Sequence, residues 1–479
     1  MSQQYVIGID GGTQSTKVLL FDLEGRVVCE ATQPLRPLYL AEPVVVLHPD
    51  DDLWTSLISA CQKMLAKFEG DRKDIIGVGL CTIRCCRALL KEDGTLAYPV
   101  LSWMDKRLSR PYEHDIPDVR YVTTTSGYIT HRLTGEFKDT AANHEGMWPI
   151  DFDTWDWSTD PAVLEKYNVP RSMLLDLVKP GEILGRITAE AAAATGIPEG
   201  IPVVATANDK AVEMLGAGRP GEDSVLISLG TYIASMVQGS TAKPGSGSYW
   251  LNMASEPWSY LYESDGIRRG MWSVSWIRNL LGSDPVREAE KLGISTEDYL
   301  NGLAEKVPAG CDGLMTIPEF LAPVTQPYKR GVMLGFDGRH TGIHMYRSVQ
   351  EAIAMTMYNK AKAMLDDLGR TPSRVVVSGG GSKGNLFMQI IADVFGIPAQ
   401  RTESASVVGL GAAICTCVGL GVYASFDEAI EKMVRYADIF QPIPENHAVY
   451  QKLNENVYKH ITGYTDEILK KSYATLHES

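Results

Sequence analysis

The 479-residue sequence contains no GxxxxGK[ST] segment, no CxxC pair and no run of Lys or Arg. Each absence removes a class of protein. Without the first there is no P-loop to hold phosphate. Without the second, neither structural zinc nor a disulfide framework has its usual spacing. Without the third, nothing offsets a net charge of −14, which argues against nucleic acid and anionic membranes as partners. Cys29, Cys61, Cys81, Cys85, Cys86, Cys311, Cys415 and Cys417 are expected to be reduced thiols, and the Cys81–Cys86 cluster has no neighbouring histidine to complete a zinc site. Met1-Ser2-Gln3-Gln4 leads straight into an apolar stretch without a basic region or signal core, which predicts a cytoplasmic protein. No charge occurs from Ser404 to Phe426, a length that could span a bilayer. Gly409, Gly411, Gly419 and Gly421 with several Ser and Thr predict instead a buried helix, packed on a sheet through its glycines and ending near Gly419.

What is present points to a soluble enzyme: 44% hydrophobic and 22% charged residues, in a chain long enough for two domains of about 200 residues each. Residues 6–21 read as two apolar strands joined by a tight bend at Gly11, Gly12 and Thr13, with Asp10 ending the first strand. Adjacent glycines let backbone N–H groups turn inward, and Thr13, Ser15, Thr16 and Lys17 add donors suited to a polyphosphate. A carboxylate beside such a bend repels phosphate unless a divalent cation intervenes, so Asp10 implies magnesium. The same residues also fit an ordinary glycine-rich hairpin.

Residues 225–237 repeat the pattern of strand, Gly-Thr bend and strand, with Gly230 and Thr231 in place of Gly12 and Thr13. The echo continues downstream. Leu53, Leu57, Ile58, Cys61, Met64, Leu65 and Phe68 mark one face of a helix before the strand Ile75 to Leu80. Val349, Ile353, Met357, Ala361, Leu365 and Leu368 mark another before the strand Arg374 to Val377 and the turn Ser378-Gly379-Gly380-Gly381. Two duplicated mixed α/β domains, 1–216 and 217–479, would set two phosphate hairpins face to face across a cleft, with the boundary in the glycine-rich segment 216–221. Residues 240–262 read as an insertion of turns and aromatics. Val449, Leu453, Val457, Ile461 and Ile468 predict a terminal helix docked on the body.

Two segments carry candidate chemistry. Residues 202–216 read as a buried strand ending in Asn208-Asp209-Lys210 and then a short helix. A carboxylate there can accept a proton from a substrate hydroxyl, or Asp209 can serve merely as an N-cap. Ser102-Trp103-Met104-Asp105-Lys106-Arg107 sets an aromatic plane, a carboxylate and a guanidinium at a strand end, suited to a polyol or to a solvated charge pair.

Together these segments resemble the FGGY carbohydrate kinases of the actin-like ATPase superfamily. The resemblance rests on Asp10-Gly-Gly-Thr-Gln-Ser15, Trp103 to Arg107, Tyr128 to Glu136, Asn208-Asp209, Leu229-Gly-Thr231 and Ser378 to Gln389. It implies two actin-like (ribonuclease H-like) α/β domains, each a mixed sheet with flanking helices, and ATP-dependent phosphorylation of a small sugar or polyol. By the same matching Asp209 is the general base, and Asp10 and Asp209 hold Mg2+. Gly12, Thr13, Gln14, Ser15, Lys17, Gly230, Thr231, Gly270, Gly380, Gly381, Gly384 and Asn385 lie on the ATP side, while Arg84, Trp103, Asp105, Arg107 and Asn208 lie on the acceptor side.

Three departures qualify the match. Arg107 and Leu133 are only 26 residues apart, which predicts a more open sugar pocket or one completed by a second subunit, as in a homodimer. Glycerol kinases follow the arginine equivalent to Arg84 with a carboxylate, whereas Cys85 stands here, which disfavours glycerol and favours a ketose such as a pentulose. Lys210 is expected to face solvent rather than an acidic substrate. Two rivals also stand. Gly379 to Gly384 satisfies GxGxxG, with Glu403 downstream, as in an NAD-dependent dehydrogenase. A hydrolytic or non-catalytic actin-like ATPase would keep the nucleotide contacts and lack the acceptor set.

Overall fold

The computed structural model describes residues 3–42, 45–221, 223–323, 325–404 and 406–477. Its centre is two sheets of matching topology. In the first, strands run in the order Ile183–Arg186, Pro202–Ala205, Ile75–Thr82, Tyr5–Gly11, Ser15–Asp22, Val27–Pro34. Tyr5–Gly11 pairs antiparallel with its hairpin partner and parallel with Ile75–Thr82. In the second, the order is Tyr249–Met253, Tyr260–Ser264, Ile233–Gly239, Ser224–Leu229, Arg374–Ser378, Ala399–Thr402, Tyr436–Phe440. Ser224–Leu229 repeats the double pairing, antiparallel to Ile233–Gly239 and parallel to Arg374–Ser378. The internal echo in the sequence is therefore a structural duplication.

The helices between hairpin and parallel strand follow the apolar spacing. Asp52–Leu65 buries Leu53, Leu57, Cys61, Met64 and Leu65. Gly342–Leu368 buries Val349, Ile353, Met357, Ala361 and Leu365, opens with a capping box made by Thr341 and His344, and stops at Gly369, which takes a left-handed φ of 68°.

The uncharged stretch forms helix Val407–Gly419, which packs against Tyr5–Gly11, Ile75–Thr82 and helix Asp209–Gly216. Its glycines permit the approach. A Cβ on Gly411 would lie 2.1 Å from the Val212 carbonyl oxygen, and one on Gly216 would lie 1.8 Å from that of Val407. A Cβ on Gly8 would lie 2.3 Å from the Gly409 carbonyl oxygen. Backbone meets backbone here, so no rotamer change can relieve a side chain. No helix among the described residues is long and apolar enough to cross a membrane.

Two expectations need correction. Residues 240–262 are no insertion of turns: Tyr249–Met253 is the edge strand of the second sheet and Tyr260–Ser264 its inner neighbour, because Tyr249 and Tyr262 pack on its core. The terminal helix does not bury all of the predicted apolar face. Ile461 is buried, but Ile468 beyond it is 70% exposed, and there the helix meets the body through polar contacts, with the Tyr328 hydroxyl donating to Asp466 at 3.3 Å and Lys329 pairing with it at 3.7 Å.

A valine at position 411 would drive its branched side chain into the facing helix. Gly411→Val is expected to cost more than about 2 kcal/mol of unfolding free energy, read as a lowered denaturant midpoint at unchanged slope.

Candidate active site

The first bend closes through the Gly12 N–H, which donates to the Ser15 carbonyl at 3.0 Å. Asp10 sits at the strand end, in register with Lys17 and Cys81. Lys17 is committed to Glu30 at 3.2 Å and to the Ser406 hydroxyl. At the second bend, the N–H groups of Gly270 and Met271 donate to the carbonyls of Thr231 (2.9 Å) and Gly230 (3.2 Å), so the start of helix Gly270–Leu280 is fastened to the turn. Gly379, with φ of 84°, passes so close to Leu229 that a Cβ would lie 2.6 Å from its carbonyl oxygen. Gly380 borders open space, and a Cβ on Gly381 would meet Met271 at 2.7 Å. Gly230, Thr231, Gly270, Gly380 and Gly381 thus converge. Gly384 follows as the N-cap of helix Asn385–Phe395, where the Asn385 carboxamide accepts from Arg401 at 3.0 Å.

Helix Asp209–Gly216 lies between the two bends. Asn208 is its cap: its carboxamide oxygen accepts from the N–H groups of Lys210 and Ala211, both at 3.0 Å, and its Nδ2 donates to Glu145 Oε1 at 3.0 Å. Asp209 is thereby released from capping. Its Oδ1 is sealed off with no hydrogen-bond partner and lies 3.6 Å from Arg84 Nε, while about a third of the side chain stays open. Burial raises its carboxyl, against the lowering influence of Arg84 and Lys210. Burial, and after it the charge of Asp209, pushes Asp10 up to about 7.

Lys210 does not face solvent. Its ammonium donates to Glu213 at 2.9 Å and to the Ser228 hydroxyl at 2.7 Å, and the Ser378 hydroxyl donates to Glu213 at 2.6 Å. Burial alone would raise Glu213, but Lys210 and the serine hydroxyls outweigh it and hold the carboxyl low. Ser228 and Ser378 are paired residues of neighbouring strands, so this buried cluster ties the helix to the centre of the second sheet. The solvent expectation failed because the partner carboxylate, three residues on, points the same way along the helix.

Among the residues expected on the acceptor side, both terminal nitrogens of Arg84 donate to Glu263 at 2.7 Å, a bidentate pair across the two halves. Arg84 thus finds its carboxylate on strand Tyr260–Ser264 rather than at position 85. Trp103 packs on the first core. Asp105 is buried, accepting from the Val46 N–H at 2.9 Å and from Arg107 at 2.8 Å, with Arg107 also over the Tyr98 ring at 5.5 Å. Arg84 and Asp209 are brought together. The contacts of Asp105 and Arg107 are with each other and with their own subdomain.

Glu263, Glu213 and Glu145 were missed from sequence. The first two had a signal, a lone acid in an apolar strand and another in an apolar helix; Glu145, in a loop, had none. Its Oε1 also accepts from the Met253 N–H at 3.2 Å, and burial pushes its carboxyl up to about 8 from an ordinary 4.5. Between those values the folded chain keeps a proton that the unfolded chain releases, so stability from this group falls as pH rises through the window. Glu145→Gln does not titrate. Its melting temperature relative to the unsubstituted protein is expected to rise between about pH 5 and pH 8.5, and a constant difference would contradict the burial effect.

Comparison with known proteins agrees with this architecture. The FGGY carbohydrate kinase N-terminal domain matches residues 5–114 and 108–216, and the C-terminal domain matches residues 225–420. The chain is 50% identical over 477 residues to the uncharacterized sugar kinase YgcE of Escherichia coli K12, covering 100% of this chain and 97% of that protein. A crystal structure of xylulose kinase from Rhodospirillum rubrum is 26% identical with a TM-score of 0.79, covering 99% of each chain. That of gluconate kinase from Lactobacillus acidophilus is 20% identical with a TM-score of 0.85, covering 98% of this chain and all of the other. With both family domains present in order, the chain belongs to the FGGY family of carbohydrate kinases and is an ATP-dependent sugar kinase.

Proposed function

We propose that this kinase phosphorylates a hydroxyl of a small neutral ketose, a pentulose before glycerol or a sugar acid, with Asp209 as general base. The observation that carries the reading is the Asp209 carboxylate at the head of its helix, released from capping by Asn208, facing Arg84 through Oδ1 and with about a third of its side chain open. A group that takes a proton must have a lone pair within reach of the acceptor, and the open part of this side chain offers one. Residues 1–216 supply the acceptor side and residues 217–479 most of the nucleotide side. Gly12, Thr13, Gln14 and Ser15 at one bend, and Gly230 and Thr231 at the other, offer N–H and hydroxyl donors that spread charge from the transferring phosphoryl group.

The charge of Asp209 adds to burial in raising the Asp10 carboxyl, an opposition that a cation relieves. Mg2+ binds proteins through one or two carboxylates together with phosphate oxygens and water, so this pair fits it as ligands, and the bound ion would screen the γ-phosphate. The site's charges favour a neutral acceptor. Arg84 is matched by Glu263 and Lys210 by Glu213, leaving Asp209 without a full partner. An anionic sugar would meet carboxylates, not free cations. With both terminal nitrogens bound to Glu263, Arg84 is held by a carboxylate of this chain rather than standing free to grip a polyol, which supports the reading against glycerol.

ADP release measured with Mg-ATP over xylulose, ribulose, glycerol and gluconate tests the acceptor. A ketopentose is expected to give the highest kcat/KM, and preference for gluconate or glycerol would overturn it. Asp209→Asn is expected to lower kcat by about 100-fold to 10,000-fold while the dissociation constant for Mg-ATP changes little. Retained turnover would remove Asp209 from the role.

A further inference from the structure

Two arginines three residues apart have opposite surroundings. Arg84 is bidentate to Glu263, whereas Arg87, only 5% exposed at the start of strand Arg87–Leu90, has no ion pair and no side-chain hydrogen bond among the described residues. Its guanidinium lies over the rings of Tyr112 and Trp148, each at 5.7 Å. Three buried donors of these residues lack partners, Arg87 Nε, the Tyr112 hydroxyl and Trp148 Nε1, and the first two belong to residues that line the cavity described next. A buried unpaired charge is costly, and each buried unsatisfied donor adds to the cost. The cation–π contacts offset only part of it. Arg87 and Tyr112 line a small cavity with Arg107 and Arg110, and with Glu113 and Asp115, which are exposed and screened by water. Arg107 is matched by Asp105, while Arg110 has no ion pair among the described residues and stands open to solvent.

We propose that this cavity binds a small oxyanion, a phosphate or carboxylate group of a ligand distinct from both the sugar and ATP. Donors without acceptors call for a ligand made of acceptors, and an oxyanion supplies both the negative charge and the lone pairs. Burial pulls the Arg87 guanidinium down to about 10, against the raising influence of Tyr112 and Asp105. Arg107 is the one lining residue shared with the expected acceptor set, and it is held by Asp105; Arg87 and Tyr112, which carry the proposal, have no contact with Asp209, Arg84 or the two bends among those described.

Thermal unfolding tests it, with excess Mg-ADP filling the nucleotide cleft and inorganic phosphate replacing chloride at constant ionic strength. The melting temperature of the unsubstituted protein is expected to rise with phosphate, by mass action. In Arg87→Met it is expected to start higher, a buried unpaired charge having been removed, and to stay flat. Tyr112→Phe, which removes one hydroxyl and keeps the ring, is expected to weaken the apparent phosphate affinity several-fold and serves if the methionine variant fails to fold. No rise in the unsubstituted protein, an equal rise in either variant, or a rise with gluconate but with neither phosphate nor acetate would overturn the proposal. The first result would mean that water alone fills the cavity, the last that the cavity receives the acceptor's own carboxylate.

Discussion

Backbone contact between helices Asp209–Gly216 and Val407–Gly419 is the constraint on which the site depends. Gly411 lies against the Val212 carbonyl and Gly216 against that of Val407, at distances that no side chain tolerates. Because the second helix also rests on Tyr5–Gly11 through Gly8 and Gly409, the first sheet, the second helix and the head of the first helix are held at one spacing. Asp209 stands at that head. Its distance from Asp10 and Arg84 follows from glycine packing remote from any substrate.

Electrostatics then sorts the carboxylates into roles. Glu213 is satisfied by Lys210 and two serines, Glu263 by Arg84, and Asp105 by Arg107 and a backbone N–H. Asp10 and Asp209 are left under-compensated, both raised by burial and, for Asp10, by the neighbouring Asp209. Buried charges persist when paired, so the unpaired ones mark where chemistry or a ligand is expected. Arg87 is the same signal with the opposite sign, lying outside the cleft.

Much of the fold was legible because it depends on short-range pattern. The Gly-Thr bends, the period of Leu53 to Leu65 and of Val349 to Leu365, and the glycines of residues 404–426 each express a local rule that the structure obeys. Capping was legible only in part. Asp209 and Asn208 are both good cap residues, and the sequence does not say which one turns its side chain into the helix; Asn208 does, which leaves Asp209 free. Residues 240–262 were misread because short strands set among turns and aromatics look like loops until their partner strands are known.

By itself, the order of motifs along the chain determined the duplicated α/β architecture and the kinase family, since strand, bend and helix periods are written in neighbouring residues. Only the tertiary structure decided the pairings: Glu263 with Arg84 across 179 positions, Ser378 with Glu213 across 165, and Arg87 with no ion pair among the described residues. Charges brought together by folding leave no spacing to read, and their desolvation depends on everything packed around them.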